Sequence, residues 1–153
     1  MAQLKEGQTA PEFNLPAQDE KNVALKDFRG KKVLIFFYPK AMTSGCTKQA
    51  CSVQDAKDEL AEMGVLPIGI SPDPVRQQDK FASKYGLKYP LLSDFDHTVS
   101  LSYGVWGEKS MYGKKYDGII RSAFLVGEDG RMIKAWYKIK PDQTVQKVRE
   151  ALA

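Results

Sequence analysis

The feature that most constrains the fold is the run Val33-Leu34-Ile35-Phe36-Phe37-Tyr38, six apolar residues held between Lys31-Lys32 and Pro39. It is far short of the ~20 residues a helical membrane span needs, and it lacks the alternation of a strand with one wet face. A short unbroken apolar run bounded by charge and proline reads as a central strand buried on both faces. Such a strand needs a covering layer on each side. At 153 residues and 42% hydrophobic content the chain has enough apolar surface to supply both as one domain over 1–153, without staples. Wholesale disorder, collagen-like and low-complexity classes are excluded on the same grounds.

The surrounding pattern supplies the layers. Residues 1–30 hold turn chemistry around Pro11, Pro16 and Asp19 with short apolar stretches at Phe13–Leu15 and Val23–Leu25, a small β-hairpin-like extension ending at Gly30. From about Cys46 to Met63, Ala50, Val53, Ala56, Leu60 and Met63 recur at helical spacing, and Gly64 stops the helix. Val65–Ile70 reads as a second strand. Ser71-Pro72-Asp73-Pro74 reads as a helix start, with Asp73 as the cap and Pro74 at the first helical position, and the helix runs to Tyr85 and closes at Gly86.

Further along, Pro90–Leu92 is a short strand, Asp96–Tyr103 a short helix, and Trp106–Gly118, rich in Gly, Lys and Tyr, a loop. Ile119–Val126 and Met132–Tyr137 are strands joined across Gly127-Glu128-Asp129-Gly130, a hairpin signal, and Pro141–Leu152 is a closing helix. The fold class is therefore α/β, a mixed central sheet with helices on both faces.

Charge and targeting exclude several functions. The net charge is +4, from 23 basic and 19 acidic residues, and the basic residues are scattered. The densest stretch, Arg131–Lys140, interleaves Arg131, Lys134, Lys138 and Lys140 with Met132, Ile133, Trp136 and Ile139, as a partly solvated strand does, so no nucleic-acid partner is expected. No membrane association is expected either. The segment Met1–Gly7 has no apolar stretch and an early acid, Glu6, unlike a secretory signal or transit peptide, which makes the cytoplasm the expected compartment. Thiols there are mostly reduced.

Two cysteines, Cys46 and Cys51, stand five positions apart in one segment, too few for a disulfide scaffold. With the single His97 they also fall short of the four ligands of a closed zinc site, and no Gly-rich phosphate loop occurs, so no metal, nucleotide, flavin or haem is expected. His97 reads as a polar surface or capping residue, and Trp106 and Trp136 as packing residues.

What the two cysteines can do follows from their position. Cys46 opens a helix just past the carboxyl end of the central strand. Open α/β sheets bind ligands at that end, and a helix start offers unpaired N–H donors at the positive end of the helix dipole. Both favour a thiolate, the nucleophilic form of cysteine. On a regular helix five residues turn through about 140° and rise ~7.5 Å, which sets the two Cα atoms roughly 8–9 Å apart. A disulfide needs about 4.4–6.8 Å. The spacing therefore fits a switch in which Cys46 reacts first and the helix then opens to let Cys51 attack the oxidised sulfur. Disulfide-exchange catalysts instead use Cys-x-x-Cys, whose sulfurs meet within one turn.

The stretch Phe37-Tyr38-Pro39-Lys40-Ala41-Met42-Thr43-Ser44-Gly45-Cys46-Thr47-Lys48-Gln49-Ala50-Cys51 resembles the active-site segment of peroxiredoxins, and within them the bacterioferritin comigratory protein, or PrxQ, branch. Pro39, Thr43 and Cys46 meet the pattern Pro-x-x-x-Thr/Ser-x-x-Cys, and Cys51 stands where the branch places its resolving cysteine. The likeness continues through Leu91–Asp94, Tyr103–Lys109 and Arg121–Val126.

The resemblance implies a thioredoxin-like fold and a thiol peroxidase for hydrogen peroxide and organic hydroperoxides. Cys46 would attack the peroxide and become a sulfenic acid. Thr43 would hydrogen-bond thiolate and peroxide, Pro39 would shield the site from water, and Arg121 would stabilise the charge. Cys51 would close an intramolecular disulfide for thioredoxin or a similar dithiol to reduce. A resolving cysteine in the same chain needs no second subunit, so a monomer is expected. One departure is Ser44, where the branch usually has proline; it would loosen the loop and add an N–H donor. The competing readings are a general thiol-disulfide oxidoreductase and a non-enzymatic redox-sensing module.

Overall fold

The structure, a computed structural model, describes residues 3–153, so the first two positions of the N-terminal segment read for targeting signals lie outside the described residues. Its centre is the apolar run. Strand β3 (Lys32–Phe37) lies in the middle of a five-stranded sheet of order β5-β4-β3-β8-β9, with β4 (Val65–Ser71), β5 (Leu91–Ser93), β8 (Ser122–Val126) and β9 (Met132–Trp136). The β3–β4 and β4–β5 pairs are parallel and the β3–β8 and β8–β9 pairs antiparallel, which makes the sheet mixed.

Alternation along β3 then divides the core in two. Leu34, Phe36 and Tyr38 pack on one face with Ala50 and Val53 of α1 (Ser44–Asp55), Leu60 of α2 (Lys57–Glu62), Phe81 of α3 (Val75–Tyr85) and Val148 of α5 (Thr144–Leu152). Val33, Ile35 and Phe37 pack on the other with Phe13, Leu25 of the 3-10 turn Leu25–Phe28, and Val99 of α4 (Thr98–Ser102). Helices thus cover both faces. The N-terminal extension is a hairpin of β1 (Asn14–Pro16) and β2 (Asn22–Ala24). Among the described residues no helix is long and apolar enough to cross a membrane.

Four readings from the sequence need correction. The helix expected over Cys46–Met63 begins two residues earlier and turns at Ala56 (φ −95°, ψ 8°), giving α1 and α2. Val53 before the turn, Ala56 at it and Leu60 after it all stay buried, which is why the periodicity did not reveal it. Secondly, Trp106–Gly118 is not a loop but a hairpin, β6 (Trp106–Met111) on β7 (Lys114–Ile119), closed by Tyr112 and Gly113 at φ 53° and 77°. Two positive φ values in a two-residue turn match the twist of the strands. Its exposed β7 side chains carry no apolar alternation to announce a strand.

Thirdly, Arg121 does not lie within a strand: Ile119 ends β7, Ser122 begins β8, and Arg121 belongs to the junction. Fourthly, Asp73 does not cap α3. Pro74 holds the cap position (φ −67°, ψ 160°), and the Asp73 carboxylate points to a different part of the chain. Less far from expectation, α4 is shorter than Asp96–Tyr103, with His97 at its cap position (φ 65°) and its ring stacked 3.9 Å from that of Trp106.

Gly69 explains an oddity of β4. A Cβ there would lie 2.9 Å from Leu91 Cδ2, 3.0 Å from Phe36 Cζ and 3.1 Å from Tyr38 Cε1, so the absent side chain lets the strand lie close against the core. Gly69→Ala is expected to cost about 1–3 kcal/mol through overpacking, lowering Tm by about 2–12 °C. A melt with unchanged Tm would contradict that packing.

Candidate active site

The site forms where β3 ends. Tyr38 keeps the ladder for one more residue, its N–H donating to the Ile70 carbonyl at 3.1 Å. Pro39 then breaks it, and the chain turns through Lys40–Thr43 with Met42 in the left-handed region at φ 68°. Thr43 is the N-cap of α1, and its carbonyl accepts the Thr47 N–H at 2.8 Å. Ser44, Gly45 and Cys46 make the first turn. Among the described residues no side chain caps that turn, so its orphan N–H groups and the positive end of the dipole face the carboxyl end of the sheet. Ser44 occupies the first helical position, where proline is well tolerated; serine supplies one more N–H there.

Cys46 is 1% exposed. Its sulfur accepts a hydrogen bond from Arg121 Nη2 at 3.5 Å, while Arg121 Nη1 donates to Gln49 Oε1 at 2.7 Å. Gln49, fully buried, in turn donates from Nε2 to Thr144 Oγ1 of α5 at 3.0 Å. The guanidinium therefore ties the β7–β8 junction to the first two turns of α1. Gly45 makes the approach possible: a Cβ there would lie 3.0 Å from Arg121 Nη2 and 3.4 Å from Pro141 Cγ.

Beneath the turn, Tyr38 is fully buried and donates its hydroxyl to Gln78 Oε1. Burial pushes its phenol far above the usual tyrosine range, with Asp73 and Cys46 adding in the same direction, so it stays a neutral donor. On the other side Arg121, Lys109, Ser110, Ile120, Lys138 and Ile139 line a cavity of about 550 Å3. Burial and then the charge of Arg121 push the Lys109 ammonium down, and Cys46 pulls it back up, so this lysine feels both groups.

Among the described residues, none of the others singled out in the sequence hydrogen-bonds the sulfur. Pro39 is half-buried at the strand end. Thr43 is exposed, and its hydroxyl donates to the Lys40 carbonyl at 2.7 Å rather than to Cys46. Cys51, five residues along the same helix, is half-buried at the margin of the core, and both thiols are unbonded. Burial, then the Asp55 carboxylate, push the Cys51 thiol up. It is a neutral thiol at neutral pH.

Sequence reasoning gave Gln49, Tyr38 and Lys109 no role at the site, and it read Asp73 only as a helix cap. Only Gln49 left a trace, as a polar residue on the helical face of Cys46, Ala50 and Val53.

With that geometry in place, comparison with known proteins separates the possible thiol chemistries. The family model described as AhpC/TSA matches residues 7–135. Peroxiredoxin Bcp of Escherichia coli (strain K12) is 53% identical over 132 residues, 86% of this chain and 85% of that protein. The chain belongs to the AhpC/TSA family, in the Bcp/PrxQ branch of the peroxiredoxins. A PrxQ variant of Xylella fastidiosa superposes with a TM-score of 0.92 at 27% identity, covering 99% of this chain and 97% of that one. The bacterioferritin comigratory protein of Xanthomonas campestris, in a structure addressing its alkyl peroxide reduction, does so at 0.86 with 34% identity, covering 92% and 89%. The fold is thus thioredoxin-like, as in these peroxiredoxins.

Two outcomes are expected of the site. Gly45→Ala should push the guanidinium away from Cys46 and slow its oxidation by about 10- to 100-fold, the worth of a hydrogen bond to a charged group; wild-type oxidation kinetics would contradict this. In Cys46→Ser protein, alkylation of Cys51 by iodoacetamide should be half-maximal at a pH above that of a free cysteine peptide. A midpoint at or below that of the peptide would refute the burial of the thiol.

Proposed function

We propose that the chain is a thiol-dependent peroxidase that reduces hydrogen peroxide and organic hydroperoxides through Cys46, with Cys51 resolving the oxidised sulfur. The observation that carries this reading is a buried cysteine in the uncapped first turn of α1 with a guanidinium N–H 3.5 Å from its sulfur. A permanent cation and fixed N–H donors at that spot meet the negative charge that grows on the departing oxygen.

The Cys46 thiolate attacks the terminal peroxide oxygen, forming an S–O bond as the O–O bond breaks. The leaving alkoxide or hydroxide takes up a proton, and sulfenic acid remains with an alcohol or water as product. Arg121 holds the thiolate and the developing charge. Pro39 keeps water from the sulfur, and Thr43 gives up its bond to Lys40 to turn its hydroxyl to the bound peroxide. After the first turns of α1 unwind, the Cys51 sulfur displaces the sulfenic oxygen as water, giving the Cys46–Cys51 disulfide. Two thiols of thioredoxin or a similar dithiol return the pair to its starting state. Both cysteines lie in one helix, which supports a monomer acting in a reducing compartment such as the cytoplasm.

The alkyl peroxide reduction named for the Xanthomonas campestris relative supports organic hydroperoxides as substrates. General disulfide exchange is disfavoured, because Cys46 is closed to a protein disulfide at 1% exposure.

Competition kinetics test the reading. Cys46 should react with hydrogen peroxide on the order of a hundredfold or more faster than free cysteine, in line with preorganised donors elsewhere. A rate no faster than free cysteine would sink it. Cys46→Ser should abolish turnover, and Cys51→Ser should allow a single oxidation without thioredoxin-supported cycling; equal cycling in both would overturn the assignment of roles.

A further inference from the structure

The Asp73 carboxylate, which the sequence places at a helix cap, instead reaches back to the Lys40–Thr43 turn that leads into the helix carrying Cys46. Its Oδ2 accepts the Ala41 N–H at 2.7 Å and the Ser71 hydroxyl at 2.7 Å, and its carbonyl accepts the Ser93 hydroxyl at 2.6 Å. Ser71 also accepts from Gln78 Nε2 at 2.9 Å, the same amide donates to the Leu92 carbonyl at 2.8 Å, and Gln78 Oε1 receives the Tyr38 hydroxyl. The ends of β3, β4 and β5 and the turn at Ala41 are thereby joined through one set of hydrogen bonds, most of it buried.

The effect on the cysteines is a matter of chain length. Ala41 is held at one end by Asp73, and the Ala50 carbonyl is held at the other by the Tyr89 hydroxyl at 2.7 Å. Between them lies the helix that must open before Cys51 can reach Cys46. A helical residue advances 1.5 Å and an extended one about 3.3–3.6 Å, so unwinding five residues adds roughly 10 Å of chain. With both ends fixed the opened segment must bow out as a closed loop, which restricts the chain more than a segment with one free end does. Releasing Ala41 frees the end that carries Cys46.

We infer that Asp73 is a positioning residue that sets how often the first turn of α1 opens, and hence the rate of the disulfide step, by holding Ala41. The inference rests on the peroxidase reading above. It separates two rates. Oxidation of Cys46 takes place in the closed turn, which stays the dominant state when one of its several ties is cut; disulfide formation takes place from the open turn, whose population rises in proportion to the lost hydrogen bond.

Stopped-flow measurement of the full-length protein, mixed with hydrogen peroxide at several concentrations, resolves the peroxide-dependent oxidation from the peroxide-independent disulfide step. Asp73→Ala should accelerate the second step by about 10- to 100-fold while the first stays within about twofold of wild type. Sulfinic acid formed at excess peroxide should fall accordingly, because resolution outruns the second oxidation. Asp73→Asn, which keeps an oxygen for the Ala41 N–H without the charge, should fall between wild type and Asp73→Ala and covers the case in which the alanine variant does not fold. A disulfide step unchanged in these variants, or equally fast in both, overturns the inference. If wild type itself shows no peroxide-driven disulfide, the peroxidase reading fails instead.

Discussion

A regular helix keeps two residues five positions apart on different faces, and α1 places both reactive sulfurs under that constraint. Cys46 faces the core and Arg121, and Cys51 sits at the core margin as a neutral thiol. The proposed order of events follows from this. In that proposal the sulfur beside the guanidinium reacts while the helix is intact, and the second sulfur takes part only when the helix gives way. One stretch of chain cannot serve both steps in one conformation.

Everything packed around the first turns of α1 bears on this balance. Arg121 links the sulfur to Gln49, Gln49 links α1 to α5 through Thr144, and Asp73 links the preceding turn to β4. Each tie is worth about 1–3 kcal/mol. Such energies hold a turn closed for nearly all of the time and still let it open often enough for chemistry. The sheet supplies rigidity of a different kind. With β3 buried on both faces and flanked by β4 and β8, the strand end that presents Pro39 is fixed by two cores.

Local periodicity carried most of the fold. The apolar run of β3, the helical spacing of Ala50, Val53 and Leu60, and the Gly127–Gly130 turn are each decided within a dozen residues, and the structure has them. The β6–β7 hairpin escaped because the β7 side chains lie largely in solvent, leaving no alternation to read there. The Asp73 reading failed for another reason: its partner, the Ala41 N–H, lies 32 residues away, and nothing local distinguishes a carboxylate that caps a helix from one that reaches across the sheet ends. The site divides the same way. Cys46 and Cys51 were visible from spacing on one helix, while the reach of Arg121 to both Cys46 and Gln49 depends on the long-range pairing of β8 with β3.

Hydrogen exchange of α1 tests the central claim most directly, followed by mass spectrometry over Ser44–Asp55 before and after one equivalent of hydrogen peroxide. In the reduced protein the amides from Thr47 onward should be protected, and the same sample that gains the Cys46–Cys51 disulfide should lose protection in the segment between the two cysteines while the β3 amides keep theirs. A disulfide-bonded protein whose α1 amides exchange as slowly as in the reduced state would contradict the account.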